Sequence, residues 1–147
     1  MIPVLKIVTD TTSYFPAIDL AMLVRRVCAE HWRASGGSQE KLYLVLQPLP
    51  VSLDRAALLA EAVKILLHTS LSPGFSPAHG RLGVHLWPLD RNRRNAILLI
   101  ADDQMHFLQE PVTDDVAHAR RLVEQAGCHL VRHTAPGTVW RIDIPAR

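Results

Sequence analysis

Apolar residues recur at spacings of three and four in three separate stretches of the chain. Leu20, Leu23, Val24, Val27 and Cys28 form the first stripe, which predicts an amphipathic helix beginning near Pro16. Ser35-Gly36-Gly37-Ser38 ends it, because glycine and serine favour turns over helix. Leu59, Ala62, Val63, Leu66 and Leu67 form a second stripe over about 55 to 69, with Ser52 to Asp54 supplying its start and Asp54 placed to cap it. Val116, Ala119, Leu122, Val123 and Ala126 form a third, opened by Thr113-Asp114-Asp115 and closed by Gly127.

Between the helices the period falls to two. Leu42, Leu44 and Leu46 alternate with Tyr43, Val45 and Gln47 until Pro48 and Pro50 stop the strand. Leu82, Val84 and Leu86 alternate within 81 to 88, and 95 to 101 is continuously apolar, as a central strand should be. The turn from Leu89 to Arg94 joins these two, and a final pair at 128 to 134 and 138 to 144 sets Trp140, Ile142 and Ile144 on one side. Residues 3 to 8 read as a short strand, so that 1 to 16 form an N-terminal arm or extra strand. Paired strands and three helices with one apolar face each predict an α+β two-layer sandwich. Its sheet is mixed but mainly antiparallel and is covered on one face by the helices.

The chain has 147 residues, which suits one domain spanning 1–147. Apolar residues make up 48% and charged residues 20%, a globular rather than a disordered balance. A net charge of +2 gives no nucleic-acid footprint. No stretch approaches the roughly 20 apolar residues of a membrane span, and no basic segment with an apolar run and cleavage site stands at the N-terminus. Two distant cysteines, Cys28 and Cys128, read as reduced thiols. Together these features predict a cytoplasmic protein that binds neither nucleic acid nor membrane.

Three segments resemble the ATP-binding domain of sensor histidine kinases (the GHKL or Bergerat fold, HWE-like branch). Ile18 to Cys28 resembles the opening helix, Val51-Ser52-Leu53-Asp54-Arg55-Ala56 the approach to the second, and Pro136 to Pro145 the last strand. The likeness runs over roughly 18 to 145 and lies in the order and spacing of these pieces. It implies that fold, ATP and Mg²⁺ as ligands, and bacterial two-component signalling.

Residue by residue, the resemblance is incomplete. Its helical glutamate matches Glu61, but the asparagine that helps hold Mg²⁺ falls at Ile65, which offers a hard cation no oxygen. Glu61, Ile65 and His68 share one helix face. Its adenine-reading aspartate matches Asp102, yet Gln104 and His106 replace the two glycines that let backbone approach the nucleotide. No glycine-rich phosphate turn lies between Leu108 and Asp115, where Asp114 and Asp115 would repel a triphosphate. Thr138 matches a threonine near the adenine. The resemblance also expects a helix carrying a phosphorylated histidine; no such motif is recognised within these 147 residues, so a complete autophosphorylating kinase is not expected from them.

Taken with these departures, the resemblance points to a degenerate, stand-alone ATP-binding-like domain acting on protein partners in signalling, and away from an enzyme that uses ATP and Mg²⁺, with the cofactor left open. Other readings are a divergent active ATPase using Glu61 and Asp102, an anti-sigma-factor-like binder, and a small-molecule sensor lined by Ile65, His68, His106 and Phe107. The plainest readings are structural: Asp102 and Asp103 as a solvated strand end, Glu61 as an exposed helix carboxylate, and Arg91, Arg93 and Arg94 as a solvated turn. A His106–Asp102 acid–base pair lacks a nucleophile beside it. His129 and His133, four apart on a strand, stand roughly 13 Å apart and cannot share a metal.

Overall fold

A computed structural model describes residues 7–9, 16–34, 36, 41–70, 81–90, 95–102, 114–133 and 138–145. Its strands are β1 (Ile7–Thr9), β2 (Pro16–Asp19), β3 (Leu42–Leu46), β4 (Pro50–Ser52), β5 (Leu82–Pro88), β6 (Ala96–Asp102), β7 (His129–His133) and β8 (Thr138–Ile144). Its helices are α1 (Leu20–Ala34), α2 (Leu53–Ser70) and α3 (Asp114–Gln125). The large sheet has the order β3-β5-β6-β8-β7, with β3 parallel to β5 and every other pair antiparallel. The predicted mixed α+β sandwich is therefore the observed fold.

The ladder register sorts the side chains into two faces. Leu46, Leu86, Leu98, Ile142 and Leu130 form one inward row across all five strands. The last four of these are at most 1% exposed. α2 lies over β6, with α1 and α3 on its two flanks. Its stripe of Leu59, Ala62, Val63, Leu66 and Leu67 is fully buried, and burying each large side chain stabilises by about 1.5–3 kcal/mol.

A second sheet, β1-β2-β4, was not anticipated by the sequence pattern. Pro16 does not open the first helix; residues Pro16–Asp19 are β2, paired with β1 and β4. Asp19 sets the true helix start, since its Oδ1 accepts the Ala21 N–H at 3.0 Å and the Leu49 N–H at 3.0 Å. One carboxylate thus caps α1 and holds the buried Leu49 segment against it. The cap of α2 also differs from expectation. Ser52 Oγ accepts the Arg55 N–H at 3.3 Å, while Asp54 is exposed in the first turn, where its charge suits the helix dipole.

α3 ends as expected at Gly127, whose φ is 74°. Gly127 N–H bonds to Glu124 O and Cys128 N–H to Val123 O, both at 2.9 Å, the paired bonds of a Schellman motif. Two arginines then tie helices to strands. Arg120 Nη1 donates to the Leu130 carbonyl of edge strand β7 at 2.6 Å. Arg55, only 6% exposed, donates from Nε to Ala126 O and from Nη2 to Pro145 O, each at 2.9 Å. Its Nη2 also lies 3.4 Å from Cys128 Sγ.

Burial pushes the Cys28 thiol up from 9.0 to about 12, with the nearby Arg25 charge partly offsetting the desolvation. Between those values the unfolded chain loses this proton while the folded chain keeps it, so stability falls as pH rises. Urea unfolding between pH 9 and 11 should show a loss of about 1.4 kcal/mol per pH unit from this group. In Cys28→Ala the slope should be shallower by that amount. Asp19→Ala should cost about 2 kcal/mol in the same assay at neutral pH, through the lost cap and the stranded Leu49 N–H.

Candidate functional site

β6 carries its apolar run into Asp102, the last residue of the strand. Alternation places Asp102 on the same face as Leu98 and Ile100, between the sheet and the helices. Its ladder neighbours are Leu82 on β5 and Thr138 on β8. Asp102 is 5% exposed, so it is not the solvated strand end of the plainest sequence reading. A carboxylate held there is costly to bury unless polar groups meet it, which sets this strand end apart from the apolar rows beside it.

One row further in, Ile100 pairs with Trp140, and Trp140 with Arg132 of β7. The Arg132 guanidinium carbon stands 5.2 Å from the centroid of the Trp140 ring, within cation–π range. Trp140 is 2% exposed. Its Nε1 and the Nε of Arg132 are buried with no hydrogen-bond partner among the described residues. An aspartate, a buried indole N–H and a guanidinium face thus line the same end of the inward surface. Sequence reading missed Arg132 and Trp140 as a pair; the signal was a cation and an aromatic across one predicted hairpin.

The α2 candidates differ from this cluster in burial. Glu61 and His68 are exposed. Glu61 Oε2 stands 4.0 Å from Lys64 Nζ, with both side chains about half exposed, a separation and setting that contribute little. Ile65 is half-buried and packs against the core, offering no oxygen to a cation. Its carbonyl accepts a hydrogen bond from Thr69 Oγ1 at 3.0 Å.

The structure thus brings Asp102 and Thr138 together as ladder neighbours and leaves Glu61 in its pair with Lys64. Gln104, His106 and Phe107 lie outside the described residues, as do Asp103, Thr113 and the Arg91, Arg93 and Arg94 turn. Among the described residues no group of three or more His, Cys, Asp or Glu could hold a metal ion. No helix described is long and apolar enough to cross a membrane.

No family model and no curated protein matches this chain. Solved structures do. The histidine kinase domain of the Erythrobacter litoralis EL346 blue-light activated histidine kinase is similar over 88% of this chain and 62% of its own, at a TM-score of 0.75 and 20% identity. The mycobacterial sensor histidine kinase MprB is similar over 89% of this chain and 97% of its own, at 0.70 and 23%. The Acinetobacter baumannii histidine kinase AdeS is similar over 89% and 66%, at 0.68 and 15%. The chain spans about three-fifths of the first of these domains, and the likeness establishes the histidine-kinase ATPase fold expected from its sequence.

Replacing Arg132 with methionine should lower stability to urea by about 1 kcal/mol, the usual worth of such a contact. Arg132→Lys should restore part of it. Both variants should keep the far-ultraviolet circular dichroism of the parent, which separates the loss of this contact from a failure to fold.

Proposed function

We propose that this chain is a degenerate histidine-kinase-type ATP-binding domain that serves two-component signalling through protein contacts rather than phosphoryl transfer. The observation that carries the reading is Ile65. The resemblance expects there an amide that reaches Mg²⁺, whereas the side chain present is aliphatic and half-buried against the core. Hard cations require oxygen ligands, so position 65 does not fit the ion. Exposed Asp114 and Asp115 at the start of α3 support the same reading, since carboxylates there suit the helix dipole and oppose a polyphosphate. The likeness to sensor histidine kinases supports a place in their pathways.

Calorimetry of the full chain with ATP and Mg²⁺ should show no Mg²⁺-dependent binding at micromolar affinity. Micromolar binding that disappears in Asp102→Ala would overturn the reading.

A second reading is a divergent ATP-binding domain that is still active. It is favoured by the burial of Asp102 on the inward face beside Thr138, where the resemblance expects the adenine. Turnover of radiolabelled ATP, or transfer to a supplied histidine phosphoacceptor, would establish it. Absence of both would eliminate it.

A further inference from the structure

The large sheet offers other molecules a cleft and an edge. The cleft, of about 510 Å³, lies between the β5–β6 hairpin and the α3–β7 turn, where Ile144 and Pro145 stand beside His129 and Asp143. So mixed a lining selects no single ligand chemistry. The edge is β3, which pairs with β5 and with no other described strand. Gln47 N–H, one residue past β3, donates to Leu86 O of β5 at 2.9 Å. Alternation along the strand turns the backbone groups of Val45 and Tyr43 toward β5 as well. It aims the N–H and C=O groups of Leu42, Leu44 and Leu46 away from the sheet.

Edge strands are ordinarily guarded by a charge, a proline, a bulge or a covering element. The other edge of the sheet follows that rule, since β7 contains Arg132 and its Leu130 carbonyl is taken by Arg120. Within β3 the sequence is Leu-Tyr-Leu-Val-Leu, with neither charge nor proline. Tyr43 and Val45 are 47% and 53% exposed on its outward face. On its inward face α1 packs against the strand, yet Leu42, Leu44 and Leu46 are only half-buried against the core. Apolar surface thus remains on both faces of a strand whose outward backbone groups meet no other described strand.

We propose that β3 is a homodimerisation strand, through which two copies of this chain join about a two-fold axis at Leu44. Closed two-fold symmetry makes the pair antiparallel, and a centre at Leu44 is the register that pairs every residue of the strand. Leu44 then faces Leu44 of the other copy and Leu42 faces its Leu46, exchanging about six backbone bonds in all. Tyr43 faces Val45 of the other copy at the non-hydrogen-bonded positions, where side chains come closest. That aromatic and β-branched pairing favours sheet association. So short a strand buries less than the roughly 1,200 Å² of a stable interface, so the dimer is weak and concentration-dependent. Neither Ile65 nor Asp102 takes part in this joint.

Sedimentation velocity of the full chain from about 10 μM to about 1 mM should show monomer passing into dimer, as suits an interface of this size. Val45→Lys, which places a charge on the edge, should weaken association by about tenfold or more. Leu89→Lys, at an apolar residue 58% exposed on the β5–β6 hairpin, should leave it unchanged. If circular dichroism shows Val45→Lys to be unfolded, Tyr43→Lys takes its place. Oxidation reads the register. Cα atoms directly opposite at a non-hydrogen-bonded pair stand about 4.5 Å apart, within disulfide reach, and diagonal ones about 7–8 Å apart, beyond it. An equimolar mixture of Tyr43→Cys and Val45→Cys should therefore form an interchain disulfide several-fold faster than either variant alone, the native Cys28 and Cys128 being buried. A monomer throughout the range overturns the proposal. So does association that survives Val45→Lys or is lost equally in Leu89→Lys, and so does equal oxidation in the mixture and the single variants. The outcome is separate from the ATP experiment, which reads Asp102.

Discussion

A single buried guanidinium closes this fold. Arg55 stands in the first turn of α2 and binds carbonyls 71 and 90 residues further along the chain, at the end of α3 and just past β8. Three elements that are remote in sequence are thereby fixed at one end of the sandwich. Among the described residues its charge meets carbonyl oxygens and a thiol rather than a carboxylate. Removing it would strand the buried Ala126 carbonyl, at a cost of about 1–3 kcal/mol. The α3–β7 turn, the exit of β8 and the cleft between them all depend on this side chain.

The two ends of the large sheet consequently differ in character. At the Asp102 end, a buried carboxylate and the Arg132–Trp140 contact place polar groups on an otherwise apolar inward face. At the other end, short local bonds and Arg55 shape a cleft lined by both apolar side chains, such as Leu89 and Ile144, and polar ones, such as His129 and Asp143. The first end corresponds to the strand that carries the family resemblance. The second has no counterpart in that resemblance and was found only from the folded arrangement. A scaffold can persist while the chemistry it carries changes, because fold and site chemistry vary independently.

Much of the architecture could be read from periodicity. The stripes of α1, α2 and α3 and the apolar run of β6 fall where the spacing places them, because a buried face demands apolar residues at the period of its backbone. What escaped was short or nonlocal. β2 and β4 have four and three residues, and each begins with a proline, which argues against a strand unless it stands at the first position. Arg55 falls on the apolar stripe of α2, four residues before Leu59, and a cation there looks like a surface residue until its partners at 126 and 145 are known. Asp102 and its departures from the glycine pattern were legible. Its burial was not, because that depends on the helices and strands packed around it. The α2 candidates were legible as a shared face, but Ile65 being drawn into the core reflects tertiary packing.

The bond from Arg120 to the Leu130 carbonyl bears on self-association. An open sheet edge offers its unpaired backbone groups as a template for another chain. At β7 a side chain from α3 already occupies one of those acceptors. At the opposite edge, β3 displays Tyr43 and Val45 at 47% and 53% exposure. Edge-to-edge growth is thus hindered on one side and left to β3 on the other. Pairing through that one edge of the large sheet would join two copies edge to edge.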